Sequence, residues 1–150
     1  FEIVMFETFT DFIQSMTSVF NNTESSLDTK IELIINNYIT LLIKEPEIPL
    51  FILSELRRNP DHLLQKMNVK EVIMQSYFVK QLYEKLEQNS MAQKDLLHLI
   101  MNILGMTIFP FVARPIVQSI GEMSNEQFSA LMEERKTLIP KWIKAILNSK

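Results

Sequence analysis

A chain of 150 residues with 47% hydrophobic and 22% charged residues has the composition of one globular domain, long enough to bury about 70% of its unfolded surface. Two glycines are too few for the tight turns of sandwiches, barrels and nucleotide-binding loops, and the lack of cysteine excludes disulfides and thiolate chemistry. A formal net charge of −3 without a basic stripe argues against nucleic-acid binding by this segment.

The first two segments have the period of amphipathic helices. In the first, apolar side chains fall three or four residues apart from Met5 to Phe20, and the loop "NNTESS" ends the pattern. In the second, an apolar stripe runs from Leu27 to Leu42. It stops before Pro46, because proline disfavours helical backbone in the residue that precedes it.

Prolines also delimit the third and fourth helices. The short apolar stretch "IPLFILSELRRNP" ends at Asn59 and Pro60. The same pair opens the fourth helix, with Asn59 as N-cap and Pro60 at the first helical position. The fifth helix is predicted to begin at Asn68, with Glu71 three residues later, and to continue unbroken to about Gln88.

The last two helices follow a long apolar run. The sixth is predicted over about 92–120 and contains two prolines, and Gly121 is placed to end it in the left-handed conformation. The seventh begins at a capping box formed by Ser124 and Gln127. With no strand signal and no repeat, the pattern predicts seven helices in a single all-α domain covering residues 1–150.

One segment has the length of a membrane span. Leu96–Ala113 is strongly apolar, but His98, Asn102 and Pro110 interrupt it and no basic cluster flanks it. No secretory signal is visible. We therefore expect no membrane partner, and we expect the protein to be cytoplasmic, which the lack of cysteine also fits.

Few residues could carry out catalysis. His62 and His98 are the only histidines, and the motifs of metalloproteases, phosphate loops and nucleophile elbows are absent. Glu2, Glu7 and Asp11 are spaced like carboxylate ligands, but they lie opposite the apolar stripe of the first helix and indicate a solvated face. We expect no enzyme, no catalytic residue, no metal site and no cofactor.

Aromatic and methionine side chains are abundant, with ten Phe and nine Met. Such side chains suit both ordinary cores and adaptable pockets. Polar groups on otherwise apolar helices favour a pocket, because burying them without partners costs free energy. The candidate ligand-binding residues are Phe9, Phe12, Met16, Tyr38, Tyr77, Met101 and Asn102. The alternative is that the apolar ones are core and the polar ones reach the surface or a backbone group.

Three stretches resemble the ligand-binding domains of TetR-type transcriptional regulators. These are "IELIINNYITLLIKEPEIPLFILSELRRNP", "LLHLIMNILGMTIFPFVARPIV" and "SNEQFSALMEERKTLIPKWIKAIL". The resemblance implies a ligand cavity among the helices that begin near Phe1, Leu27, Val69 and Ala92. It also implies that the family's N-terminal helix-turn-helix domain is missing from this chain, so that operator DNA would be bound only through that domain.

The resemblance further implies a homodimer in which the last two helices of each chain form a four-helix bundle, and a repressor that a small hydrophobic effector releases from DNA. The last helices carry a wide apolar arc that would be unusual in water. The expected dimer residues are Ile108, Phe111, Val112, Ile116, Ile120, Phe128, Leu131, Arg135, Leu138 and Trp142. Arg135 needs an acceptor, which we expect on the partner chain. The alternative function is a helical protein-interaction module without a small-molecule ligand.

Overall fold

The computed structural model describes residues 2–89 and 93–149, without the side chains of residues 2, 93 and 94. Within these ranges the chain forms nine α-helices and one π-helical turn and contains no strand, which confirms the all-α class. The helices are α1 (Glu2–Ser15), α2 (Thr17–Asn21), α3 (Leu27–Lys44), α4 (Ile48–Arg58), α5 (Pro60–Lys66), α6 (Tyr77–Gln88), α7 (Gln93–Val112), α8 (Arg114–Gly121) and α9 (Asn125–Asn148), and the π-helical turn is Lys70–Met74 between α5 and α6.

Several helix ends lie where the sequence predicts them. α3 ends at Lys44, ahead of Pro46, and α5 begins at Pro60. The capping box that starts α9 is confirmed, since the Ser124 side chain accepts a hydrogen bond from the Gln127 backbone at 3.1 Å and the Gln127 side chain accepts one from the Ser124 backbone at 2.8 Å. Local side-chain chemistry therefore determines these ends.

The predicted fifth helix is wrong in its first half. Asn68 is not an N-cap, because its backbone lies in the left-handed region with φ of 55°. The π-helical turn follows, and α6 begins only after Ser76, whose hydroxyl accepts a hydrogen bond from the Val79 backbone at 3.3 Å. Apolar residues continue through both pieces, so the helical period conceals the interruption.

Three other boundaries differ from the prediction. The first helix is broken at Met16, whose N–H is shared between the carbonyls of Phe12 at 3.2 Å and Ile13 at 3.1 Å. The sixth helix divides at Ala113, because Pro115 has no N–H with which to extend α7 and instead occupies the first turn of α8, where that N–H is not needed. Gly121 stays helical and Glu122 adopts the left-handed conformation, with φ of 50°. The predicted start of the sixth helix at Ala92 lies outside the described residues.

Pro110 lies inside α7, and a side chain compensates for the hydrogen bond it removes. Proline has no N–H, so the carbonyl four residues earlier, that of Met106, loses its helical donor. The Arg135 guanidinium, from α9, donates to that carbonyl at 2.7 Å. Pro140 in α9 is treated in a similar way, since the Asn36 side chain approaches the freed carbonyl of Lys136 at 3.5 Å.

The core lies between α3 and α9, which pack along each other, and extends to α1, α6 and α7. Ile39, Leu42, Ile139 and Ile143 are completely buried at this interface. The core thus occupies the middle of the bundle, and α7 and α8 lie at its edge with much of their apolar surface uncovered.

Candidate ligand cavity and apolar face

An apolar cavity of about 130 Å³ lies among α3, α6, α7, α9 and the π-helical turn. Every lining side chain is a hydrocarbon or a thioether, and the lining residues are Ile31, Ile34, Ile35, Ile73, Met74, Phe78, Val79, Leu82, Leu96, Ile100, Ile103, Leu104 and Ile143. These residues come from three of the four helical segments that the resemblance implies and from α9, but not from the first segment. The cavity offers a guest dispersion contacts and no hydrogen-bonding side chain.

None of the seven candidate ligand-binding residues lines this cavity. Phe9, Phe12 and Tyr38 instead form an aromatic cluster that packs α1 on α3, with the rings of Phe12 and Tyr38 stacked at 5.7 Å between centroids. Met16 is buried beside α3, where its sulfur accepts a hydrogen bond from the Asn37 amide at 3.5 Å. Phe9, Phe12 and Met16 thus have the core packing that was their alternative, and the ring of Tyr38 packs with them.

The other three candidates lie elsewhere. Tyr77 is partly buried at the start of α6, with the Lys30 ammonium 5.2 Å from its ring centroid. Met101 is 57% exposed and Asn102 is exposed, so neither side chain is part of an internal wall in the single chain. The seven residues therefore do not form one internal site, and contact with a ligand at any of them stays a prediction.

The residues that do line the cavity belong to apolar stripes visible in the sequence. Ile31, Ile34 and Ile35 are in the stripe of the second segment, and Val79 and Leu82 are in that of the fifth. Sequence reasoning gave weight to polar groups on apolar helices. The purely apolar positions carried no chemical signal that separates a cavity wall from a filled core.

A second feature is an exposed apolar face formed by α7, α8 and α9, which we call the α7–α9 face. On α7, exposed apolar residues recur at the helical spacing of one side, at Leu97, Met101 and Leu104, with Phe109 near the end. The face continues through Ile116 and Ile120 of α8 and Trp142 of α9. Ile120 is 81% exposed, which is far beyond the exposure expected of a core side chain.

The ten expected dimer residues divide between this face and the core. Phe111 and Phe128 are buried and pack edge to face, with ring centroids 5.8 Å apart, so in the single chain they belong to the core, and their contact with a partner stays a prediction. Ile116, Ile120 and Trp142 are exposed. The remaining members are partly buried at the border of the face, namely Ile108, Val112, Leu131, Arg135 and Leu138.

Arg135 finds its acceptor within its own chain and not on a partner. Its guanidinium donates to the Met106 carbonyl and lies 5.4 Å from the ring centroid of Trp142. Burial lowers the pKa of Arg135 from its ordinary value. The guanidinium therefore links α9 to α7, and its charge is engaged within the chain.

Charge distinguishes the α7–α9 face from a second set of exposed apolar residues. That second set lies on α1, α4 and α5 and includes Leu50, Leu53 and Leu64. Exposed charged residues are interspersed among its members, including Arg57 and Asp61. By contrast, the stretch 96–113, which covers most of α7 and the residue after it, contains no Asp, Glu, Lys or Arg. Depletion of charge marks the centres of protein interfaces.

α7 also meets the length and composition criteria for a membrane span, over Asp95–Val112, and it is the one helix among the described residues that does. Only 22% of this window is buried, so α7 is not an ordinary core helix. A single such helix is weak evidence for a span, and the exposed His98 and Asn102 interrupt it. The observation nevertheless makes lipid an alternative occupant of the α7–α9 face.

The structure brings together few groups that could perform chemistry. Among the described residues, no group of three or more His, Asp or Glu side chains could hold a metal ion. The completely buried Lys30 ammonium donates to the carbonyls of Asn22 at 2.5 Å and Ser25 at 2.8 Å, and burial lowers its pKa. These contacts attach the loop between α2 and α3 to α3, which is a structural role.

Comparisons with protein families, with curated proteins and with solved structures find no match for this chain.

Proposed function

We propose that this chain is the effector-binding and dimerisation domain of a TetR-like transcriptional regulator. In this proposal two copies pair through their α7–α9 faces, and a small hydrophobic molecule acts as effector. DNA is contacted by a helix-turn-helix domain N-terminal to residue 1, in the cytoplasm, and the effector releases the regulator from its operator. The domain itself performs no catalysis and holds no cofactor or metal.

The observation that carries the proposal is the position of α7. One side of this helix lines the apolar cavity through Leu96, Ile100 and Ile103, and the other side forms the part of the α7–α9 face, within residues 96–113, that contains no Asp, Glu, Lys or Arg. Leu104 belongs to both, because it lines the cavity and is 45% exposed. A helix in this position can connect effector occupancy with the arrangement of two subunits, provided that the effector has different affinities for the two arrangements.

Self-pairing suits the α7–α9 face for two reasons. Pairing by a twofold axis brings identical patches together, so an uncharged patch avoids like-charge repulsion. In addition, a Cβ atom placed on Gly105, in the middle of the face, meets no atom within 4 Å, so the backbone there is open to close approach. Two helices with a small residue at the crossing point can pack closely.

The alternative is a helical interaction module without a small ligand, and one observation favours it. Pockets for drug-sized ligands are commonly about 300–1,000 Å³, whereas this cavity is about 130 Å³. The effector proposal therefore requires a small ligand or a cavity that expands. The α7–α9 face would serve either function, so it is the first feature to test.

Sedimentation velocity of the purified chain, with charge substitutions on each apolar surface, tests the proposal. We expect a dimer for the unmodified chain. Met101→Glu combined with Ile116→Glu should give a folded monomer, because both side chains are exposed and the charges would be desolvated and opposed in the dimer.

Leu53→Glu is the matched control, since it places the same charge on the second apolar set. It should leave the dimer intact. A dimer that persists with the α7 and α8 charges but is lost with Leu53→Glu would place the interface on the second apolar set and would contradict pairing through the α7–α9 face. An unmodified chain that stays monomeric, or that partitions onto lipid vesicles, would overturn the dimer proposal.

A further inference from the structure

The size and chemistry of the cavity define which molecules fit it. Its volume of about 130 Å³ is close to that of an engineered protein cavity of about 150 Å³, lined by aliphatic and aromatic side chains, that stays dry and binds benzene. The cavity of this chain is partly open to solvent, and its apolar lining atoms lack protein contacts on the open side, so a guest that fills it gains dispersion energy. A guest of about benzene size fits without expansion of the bundle.

The walls discriminate against polar guests. No lining side chain carries a hydrogen-bond donor or a charged acceptor, and the backbone of the surrounding helices is engaged in helical hydrogen bonds. A hydroxyl or amine carried into the cavity would lose its water and gain no partner, which costs free energy. The site thus selects for the absence of functional groups.

The entrance is on the side of the π-helical turn. Two lining side chains reach the surface, Met74 at 43% and Leu104 at 45% exposed, whereas Ile31, Ile35 and Leu82 are almost completely buried. The proposed dimer would cover Leu104, which belongs to the α7–α9 face, and would leave Met74 as the open side. Met74 is the last residue of the π-helical turn, which is closed by the hydrogen bond from the Gln75 N–H to the Lys70 carbonyl at 3.1 Å. Its side chain has three rotatable bonds and an adaptable thioether, so it can move aside without unfolding a helix.

We propose that this cavity binds an unsubstituted aromatic or compact hydrocarbon molecule of about benzene size, which enters past Met74. This proposal rests on the effector role proposed above and names the chemical class of the effector. The cavity and its walls define the guest, and the Met74 side chain controls how fast the guest enters and leaves.

Methyl NMR of the full chain, titrated with benzene and separately with phenol, tests this proposal. Benzene should shift the isoleucine methyl resonances of the cavity wall, including those of Ile35 and Ile100. Phenol has the same ring and adds one hydroxyl, and it should bind at least about tenfold more weakly because that hydroxyl is left unpaired. Equal affinities would overturn the ligand class, and unmoved cavity methyls at saturating benzene would overturn the site.

Met74 and Leu53 provide a matched pair for testing the entrance, because they are 43% and 44% exposed. Met74→Ala should accelerate benzene dissociation several-fold, whereas Leu53→Ala, a truncation of similar size on α4 outside the cavity lining and the α7–α9 face, should leave the rate unchanged. Equal rates in the two variants would overturn the entrance. Ile103→Phe, which fills the cavity, should abolish binding; if that chain does not fold, the phenol comparison and the Met74 and Leu53 pair still decide.

The outcomes separate this inference from the proposed function. A dimeric chain whose cavity methyls do not respond to benzene retains the dimerisation proposal and refutes the ligand class. A chain that binds benzene in preference to phenol but sediments as a monomer retains the ligand class and refutes the dimer.

Discussion

The hydrogen bond between Arg135 and the Met106 carbonyl should be energetically coupled to Pro110. Pro110 deprives that carbonyl of its helical donor, and the guanidinium supplies a replacement at 2.7 Å. Arg135→Met keeps much of the aliphatic stem and removes the donor. Charged hydrogen bonds contribute about 1.5–3 kcal/mol, and the partly buried setting of this one places the expected loss near the lower end, at about 2 kcal/mol.

The Pro110→Ala background should reduce that loss. The introduced alanine has an N–H that can bond the Met106 carbonyl, so removal of the guanidinium would no longer leave the carbonyl without a donor. What remains is the contact between Arg135 and Trp142, worth about 0.5–1 kcal/mol. The double-mutant cycle therefore predicts a coupling energy of about 1 kcal/mol.

Urea unfolding of the four proteins measures the coupling. With a slope of about 2 kcal/mol per molar urea, the shift in midpoint caused by Arg135→Met should differ by about 0.5 M between the two backgrounds. Pro115→Ala is the control background, because Pro115 lies in the first turn of α8 and its missing N–H is not needed there. Repeating the experiment at tenfold lower protein concentration separates folding from self-association. Additive effects of Pro110→Ala and Arg135→Met would refute the explanation.

Three further predictions concern stability. Burial raises the pKa of Tyr38, so its contribution to stability is complete below the unfolded-state pKa of about 10 and is lost as the pH rises beyond that value. Tyr38→Phe should therefore flatten the decline in unfolding free energy above pH 10. A decline as steep as that of the control variant Tyr83→Phe would contradict this. Lys30→Met should lower the free energy of unfolding, measured by chemical denaturation, by about 2–3 kcal/mol, because two loop carbonyls lose their donor. The same change at the exposed Lys44 should alter it by less than about 0.5 kcal/mol. Equal effects would contradict the structural role of Lys30. Ser124→Ala should cost about 1 kcal/mol by thermal unfolding through loss of the capping box, and a variant as stable as the unmodified chain would show that α9 does not need this cap.

Sequence reasoning succeeded where a local side chain determines structure. The Ser124 and Gln127 cap, the end of α3 before Pro46 and the start of α5 at Pro60 each depend on residues within one turn. The all-α class follows from the helical period of nearly every segment. These signals need no knowledge of the neighbouring helices.

Interruptions within apolar stripes were not predictable in the same way. The π-helical turn precedes α6 without a break in the apolar pattern, and the one local sign of the new helix is the N-cap at Ser76. The sequence shows that Pro110 removes the helical donor of the Met106 carbonyl, but it does not show that α9 lies beside α7. The acceptor of Arg135 was therefore expected on a partner, whereas it lies in the same chain. A one-dimensional pattern cannot supply that proximity.

The site was harder to predict than the fold, for a physical reason. A cavity is a small mismatch between packed volumes, and the same isoleucines can fill a core or surround a void. The polar group of Tyr38 led to the prediction that this residue binds a ligand, but its ring packs in an aromatic cluster between α1 and α3. The exposed face was more accessible to sequence reasoning, because Ile116, Ile120 and Trp142 belong to a wide apolar arc that one chain cannot cover.

Native mass spectrometry of the purified chain tests the central claim most directly, because one spectrum reports both the number of subunits and any small molecule retained with them. We expect a dimer mass at tens of micromolar for the unmodified chain, and the monomer mass for the Met101→Glu, Ile116→Glu double variant. A monomer mass for the unmodified chain over that concentration range would contradict the claim that the α7–α9 face is the place where two copies meet.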